Sequence, residues 1–340
     1  MNKKGVVLIM VLWVLVILSL IAWGLGRRSS MEASLLQTYR GKLRSYAAAR
    51  AGINTVLDLL QRAPTAKDTL YSPGIVIDQT KNPEDIFAHI DTGQNSYAII
   101  QWLASNYNTK NNALQLEYGI RDEEGRINVN AINVTNYQIL SALLQLKGLS
   151  QSQGDQLALA IVNYAGINAQ VANNNSLLST DDSTLKSKDK RYENILELLE
   201  VNGMTKEIFD KIKDDVTVYG DVQSGLWINT DTANNDVIQA VANAVVRLSP
   251  SVNGSDIMSQ AYTVRDGADG ISFTADDGAS AIASLNDPNW PTSLQEGYSG
   301  YYRVRAVGVD GDSGTRTVLE AVIHHAVGTP GQIIAWQRDE

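Results

Sequence analysis

From Val6 to Leu25 the chain runs twenty residues without a charge, VVLIMVLWVLVILSLIAWGL, behind the short basic leader MNKKG. A helix of that length spans about 30 Å, the thickness of a bilayer core. A cleaved secretory signal has a shorter apolar stretch followed by an A-x-A-like site. Here Gly26, Arg27 and Arg28 follow the run, and the small residue stands before it, at Gly5, behind Lys3 and Lys4. The span is therefore expected to stay on the protein as a single membrane anchor. Lys3 and Lys4 favour a cytoplasmic N-terminus, partly offset by Arg27 and Arg28, and the long remainder then lies outside the cytoplasm.

The 340 residues leave room for the span and two modest domains. A net charge of −9 argues against phosphate-backbone binding as a main activity. The chain has no cysteine, which excludes disulfides and thiolate metal sites and is compatible with a periplasmic location.

Beyond the span, Leu36, Tyr39, Leu43, Tyr46, Ile53, Leu57 and Leu60 recur at helical spacing. Arg40, Lys42, Arg44, Arg50 and Asp58 take much of the other face. This reads as one amphipathic helix continuing the span to about Arg62 and stopped by Pro64. Its stripe is expected to pack on the sheet of its own domain. Ala47, Ala48, Ala49, Ala51 and Gly52 would permit close approach of another element. Strands are expected at Ser96–Ala104, over 113–122, and at 301–309 and 316–325, the last two around the hairpin turn DGDSGT. The tail from Gly328 to Glu340 has no clear assignment.

The segment from about Asp122 to Leu248 is mostly helical in pattern and contains an internal echo. GRINVNAINVTN, from Gly125, and GLWINTDTANN, from Gly225, share the order Gly, Ile-Asn, a polar cap and an apolar helix. Between them, LLQLKGLSQSQG and ILELLEVNGMTKE each place a helix, a Gly-containing turn and a second helix. This resembles paired helix-hairpin-helix units of the SAM-like kind, which also occur in DNA-uptake proteins. A membrane-anchored DNA-binding or uptake protein is thus the alternative reading. A DNA-binding hairpin offers backbone N–H groups of a Gly-x-Gly turn, helped by Lys or Arg, to a phosphate. Neither turn has Gly-x-Gly. The first carries one lysine, Lys147, and the second is surrounded by carboxylates, among them Glu193, Glu197, Glu200 and Glu207.

A basic leader ending in Gly, before an apolar helix that becomes amphipathic, resembles a type IV prepilin N-terminus. The resemblance implies cutting between Gly5 and Val6 by a prepilin peptidase, with methylation of the mature protein. Most pilins and pseudopilins carry a Glu at the fifth mature position, which is Met10 in this chain. Together with DEEGRINVN, two helical hairpins, the second INT and the YYRVRA strand, this order resembles the K-type minor pseudopilins of type II secretion over nearly the whole chain. That family implies an α+β, pilin-like fold: a long N-terminal helix on an antiparallel sheet, with a large inserted helical domain of SAM-like character. The expected organisation is a leader over 1–5, the membrane helix over 6–27 and a first pilin-like part over 28–121. The insert then covers 122–248 and a second pilin-like part 249–340. It also implies an inner-membrane, single-pass protein of a Gram-negative bacterium, with its C-terminal domain periplasmic. It would sit with I- and J-type minor pseudopilins at the tip of a short filament and bind no nucleic acid.

RDGADGISFTADDG places Asp266, Asp269, Asp276 and Asp277 within twelve residues, among glycines that permit tight turns. Calcium takes six to eight oxygens in flexible geometry, and such a loop suits it. The spacing is not that of an EF-hand. It resembles calcium loops of pseudopilins and other exported proteins, and calcium is the expected structural ion. The plain alternative is a solvated acidic turn, which is also the expectation for Asp310 with Asp312 and for the run Asp122, Glu123 and Glu124. His324 and His325, adjacent in a strand, point to opposite faces and suit no shared metal. With no GxSxG, HExxH or phosphate-cradling loop, the chain reads as a non-enzyme.

Overall fold

The computed structural model describes residues 3–62, 83–104, 115–166, 190–222, 225–267, 270, 293–295, 300–326 and 329–339. Helix α1, Lys3–Arg62, is unbroken over 60 residues, about 90 Å at the helical rise. Every described side chain from Val7 to Arg40 is exposed, and packing begins at Gly41. From there the buried positions are Gly41, Ser45, Ala48, Ala49, Gly52, Ile53, Val56 and Leu60, a stripe at helical spacing made mostly of small residues.

That stripe differs from the expected one. Ile53 and Leu60 are buried, but Leu36, Tyr39 and Leu43 are exposed. The reason is the closeness of the helix to the sheet. A Cβ on Gly308 would collide with the Ser45 carbonyl and the Ala49 backbone, and one on Gly52 would stand 2.6 Å from the Ala98 Cβ. Only small side chains fit such a seam, so the bulky residues are turned outward.

After α1 come the short helix α2 (Pro83–Phe87) and strands β1 (Ile90–Gly93), β2 (Ser96–Ala104), β3 (Gln115–Tyr118) and β4 (Arg121–Asp122). Gly119, at a φ of 128°, separates β3 from β4 where one strand was expected. The chain then makes β5 (Ile127–Asn128), a 3-10 turn (Val129–Ala131), α3 (Tyr137–Leu146) and α4 (Gln151–Tyr164). A second 3-10 turn (Ile195–Glu200), α5 (Lys206–Ile212), β6 (Val216–Thr217), β7 (Trp227–Asn229), α6 (Asn235–Leu248), α7 (Gly254–Asp266) and β8 (Ser293–Gln295) follow. The chain closes with β9 (Tyr301–Asp310), β10 (Arg316–His324) and β11 (Gln332–Asp339). The last strand falls in the tail that had no assignment.

The main sheet has the order β1-β2-β9-β10-β11, with β3 on β2 and β4 on β9, every pair antiparallel. The register sets Tyr302 against Ile323, Val304 against Ala321 and Ala306 against Leu319. These six line one face and pack with Ile53, Val56, Leu60 and Ile100 into the α1–sheet core. The fold is α+β, a long N-terminal helix on an antiparallel sheet, carrying a helical unit between β4 and β9.

That unit has its own core, running from Ile127 to Val264. Ile257, Ala261 and Val264 of α7 belong to it, so its packing continues past Leu248. The internal echo is visible as geometry. β5 pairs in parallel with β6, and β7 in parallel with β8. Each Ile-Asn then turns on its asparagine: Asn128 Oδ1 accepts from the Asn130 N–H at 3.0 Å, and Asn229 Oδ1 from the Asp231 N–H at 3.2 Å. A helix pair follows each, α3–α4 and α6–α7. Asn234 caps α6 through the Val237 N–H at 2.9 Å, whereas Asn136 makes no side-chain cap to α3.

The unit leaves and re-enters the sheet at one end. Asp122 of β4 pairs with Tyr302, at the start of β9. Gly41, where α1 first packs, instead meets Ser313 and Thr315 of the β9–β10 hairpin at the other end of that strand. The helical unit therefore stands at the end of the sheet remote from the exposed half of α1.

Candidate functional site

Three regions carry the residues of interest: the free half of α1, the junction of the helical unit with the sheet, and the acidic segment after α7. Gly5 and Val6 lie in the first turns of α1. Among the described residues, α1 is the one helix long and apolar enough to cross a membrane, with a mean hydropathy of 2.0 over its most apolar stretch. Past the apolar run, Met31, Leu35, Tyr39 and Leu43 are all exposed and repeat every four residues, which makes a continuous ridge along one side.

The junction is built from the DEEG run. Asp122, Glu123 and Glu124 were expected to be solvated. All three are buried, because each holds a different element. Asp122 Oδ2 accepts from Asn229 Nδ2 at 2.8 Å and from Thr232 Oγ1 at 2.7 Å, tying β4 to the second Asn turn. Glu124 Oε2 accepts from the Gly300 N–H at 2.8 Å and its carbonyl from the Asn229 N–H at 2.8 Å. Gly125 is required between them, since a Cβ would stand 2.6 Å from the Thr232 carbonyl oxygen.

Glu123 is completely buried. Its Oε1 accepts from Arg303 Nε at 2.6 Å and faces Arg126 Nη1 at 3.4 Å, and Thr217 Oγ1 donates to its Oε2. Burial alone would raise its pKa. The guanidinium charges of Arg126 and Arg303, with the hydrogen bonds from Arg303 and Thr217, outweigh burial and hold it down to about 2. Arg303 is the partner that the sequence reading missed. The available signal was Arg303 and Arg305 alternating inside an otherwise apolar strand, where a half-buried cation needs a carboxylate.

Of the four aspartates expected to hold calcium, Asp269, Asp276 and Asp277 lie outside the described residues. Asp266 is buried at the end of α7, and both its oxygens accept from the wholly buried Arg265, at 2.7 and 2.9 Å. Arg265 also donates to the Ala233 carbonyl at 3.0 Å. Asp266 thus serves as the counter-ion of a buried guanidinium.

The first helical hairpin turns at Gly148, with a φ of 106°. Its lysine is not free for a phosphate: Lys147 Nζ lies 2.7 Å from Asp215 and 2.6 Å from Asp236. His324 packs against the Tyr301 ring at 4.6 Å. His325 is buried, and burial together with the neighbouring His324 lowers its pKa. The second acidic pair is structural: Arg44 Nη1 lies 2.6 Å from Asp312 and 3.6 Å from Asp310, fastening the β9–β10 hairpin to α1.

Neither protein-family models nor curated protein sequences give a match to this chain. Among solved structures, it is similar to a chain in the crystal structure of the GspK-GspI-GspJ complex from the enterotoxigenic Escherichia coli type 2 secretion system. The TM-score is 0.53 at 11% identity, over 89% of this chain and 99% of that one. At such low identity the likeness is one of fold, and it extends over both the sheet and the inserted unit.

Removing one side of a buried ion pair leaves the other charge uncompensated, at a cost of about 3–5 kcal/mol. Glu123→Gln is expected to lower the melting temperature of the full chain far more than Glu207→Gln at an exposed position of α5. The Glu123 pKa is depressed from its usual 4.5 to about 2. The stability it contributes is therefore complete above about pH 4.5 and is lost as pH falls towards 2. Chemical denaturation at a series of pH values should show this loss in wild type and a flatter profile in Glu123→Gln.

Proposed function

We propose that this chain is a K-type minor pseudopilin of a type II secretion system. It is a non-enzymatic subunit, anchored by one span in the inner membrane with its C-terminal domain in the periplasm. It caps the pseudopilus tip together with I- and J-type partners and so supports export across the outer membrane of a Gram-negative bacterium. The observation that carries this reading is the position of the inserted unit, at the end of the sheet remote from the exposed half of α1. A domain there would obstruct any subunit stacked above, while the Met31–Leu43 ridge below remains open to neighbouring helices. Met10 adds to it. Without a carboxylate at that position the subunit has nothing to pair with the amine of a subunit ahead, although its own amine at Val6 can receive one from behind.

The purified chain in detergent, mixed with the I- and J-type pseudopilins of its own gene cluster, is expected to form a complex with one copy of each. Light scattering gives the mass. A titration with labelled duplex DNA is expected to show no salt-dependent affinity. Tight DNA binding that falls steeply with salt, and no pseudopilin complex, would favour the helix-hairpin-helix alternative.

The same reading gives Gly5 and Val6 a role as the two sides of the prepilin peptidase cut. Gly5→Val should leave the leader attached, adding the mass of residues 1–5 to the protein recovered from cells. A mature wild-type N-terminus other than Val6, by intact mass, would remove this assignment.

Calcium remains a proposal for Asp266, Asp269, Asp276 and Asp277. A site present only in the folded chain stabilises it by mass action. Melting should occur at higher temperature with calcium than with chelator, and Asp276→Ala should shrink that difference. Identical curves would reduce the segment to a solvated turn.

A further inference from the structure

We infer that the cleft between the 3-10 turn Ile195–Glu200 and strands β10–β11 seats a basic side chain of one of the pseudopilin partners, with apolar contacts around it. The inference rests on the proposed function for the kind of partner, and on the cleft for the chemistry. The cleft encloses about 310 Å³, with Glu193, Glu197 and Tyr219 on one wall and Glu320 and Trp336 on the other, above Arg303.

Its charge favours a cation. Arg303 is committed to Glu123 at 2.6 Å and reaches Glu320 at only 3.4 Å. Glu197 accepts from the Glu193 and Asn194 backbone N–H groups, both at 3.2 Å, which fixes its carboxylate on the turn. Glu193 is exposed, and its carboxylate has no partner among the described residues. Glu123 is shared between Arg126 and Arg303, and Glu320 lies between Arg303 and Arg305 at 3.4 and 3.6 Å, so the excess negative charge at the cleft is on the wall that carries Glu193 and Glu197.

The apolar part argues for a protein rather than a free ion. Trp336 is 50% exposed and Ile334 45%, both on β11, while Leu196 and Leu199 on the opposite turn are 47% and 40% exposed. In a 3-10 turn, residues three apart lie on one face, so Leu196 and Leu199 stand together on the turn, next to the residues that line the cleft and not among them. A metal ion gains nothing from such a rim. A Lys or Arg carried on a protein surface gains ion pairing, an indole face and apolar burial at once. The turn wall is held by the reciprocal Asn194–Glu197 cap and by Tyr164 Oη donating to Glu200 at 2.6 Å, and the other wall by the pairing of β10 with β11, so little ordering is needed on binding.

The test uses the full chain in detergent with the I- and J-type pseudopilins. Glu193→Lys and Trp336→Ala are expected to weaken assembly about tenfold each, equivalent to about 1.4 kcal/mol. Glu193→Lys should also flatten its salt dependence. Glu207→Lys, a charge reversal at an exposed position of α5, should leave affinity unchanged. Unaltered melting temperatures would establish that the variants fold. Hydrogen exchange over 193–200 and 332–336 should slow in the wild-type complex. A wild-type complex that forms with no protection there, and with both variants binding at full strength, overturns this inference and leaves the functional reading standing. No complex with wild type overturns the reading and this inference with it.

Discussion

A carboxylate with no access to water, held between two guanidinium groups, fixes how the two halves of this protein meet. Glu123 lies on the segment entering the helical unit, Arg126 just inside it and Arg303 on the central strand of the sheet. An unpaired charge at that depth would cost several kcal/mol, so any displacement that separates Glu123 from Arg303 is opposed strongly and over a short distance. The neighbouring carboxylates extend this constraint. β4 ends at Asp122 and the chain turns through Glu123 and Glu124, so in DEEG each side chain meets a separate element: the second Asn turn, β9 with β6, and the Gly300 backbone. Such a pair need not add net stability over a well-packed apolar contact. Its effect is to specify one orientation, because a slipped arrangement would bury the same charges unpaired.

The α1–sheet seam imposes a different constraint with an equally definite consequence. Gly308 and the run Ser45, Ala48, Ala49 and Gly52 bring helix and sheet backbones close together, and Ser45 Oγ lies 2.7 Å from Thr317 Oγ1 in the seam. Close approach excludes large side chains from the contact, so Leu36, Tyr39 and Leu43 emerge on the outer side, exposed among the described residues. An apolar ridge of that length is costly in water. It continues directly from the apolar span, and a parallel helix anchored in the same membrane would meet both.

Much of this was legible in the sequence. The strands at Ser96–Ala104, 301–309 and 316–325 declare themselves by alternation and a Gly/Asp turn, signals that depend only on neighbouring residues. The doubled Ile-Asn motif was equally clear, because each asparagine satisfies a local backbone N–H. What failed depends on distant residues. DEEG looks solvated until Arg303, 180 residues away, supplies the compensating charge. The helical stripe was misassigned because large apolar residues were taken to mark the buried face, whereas Gly308 on another element selects small ones. β11 was missed because two glycines and a proline precede it and only Ile333, Ile334, Ala335 and Trp336 interrupt its polar residues. Its identity as a strand comes from pairing with β10.

The two constraints together give the molecule a direction. The small-residue seam aligns the sheet with α1, so the β9–β10 hairpin, fastened by Arg44 to Asp310 and Asp312, faces the free half of the helix. The buried junction lies at the other end of β9, where Asp122 pairs with Tyr302 and Glu124 holds Gly300. The inserted unit is thus mounted beyond the sheet, on the side opposite the exposed half of α1. In the proposed pseudopilus, a chain built in this way would be gripped along its helix by neighbours in the same membrane, while its far end presents a whole helical domain. Continuation of a helical stack past that point would require another α1 to pass through the volume the insert fills. The buried charges that stop the insert swinging aside are, in this sense, what would end the stack.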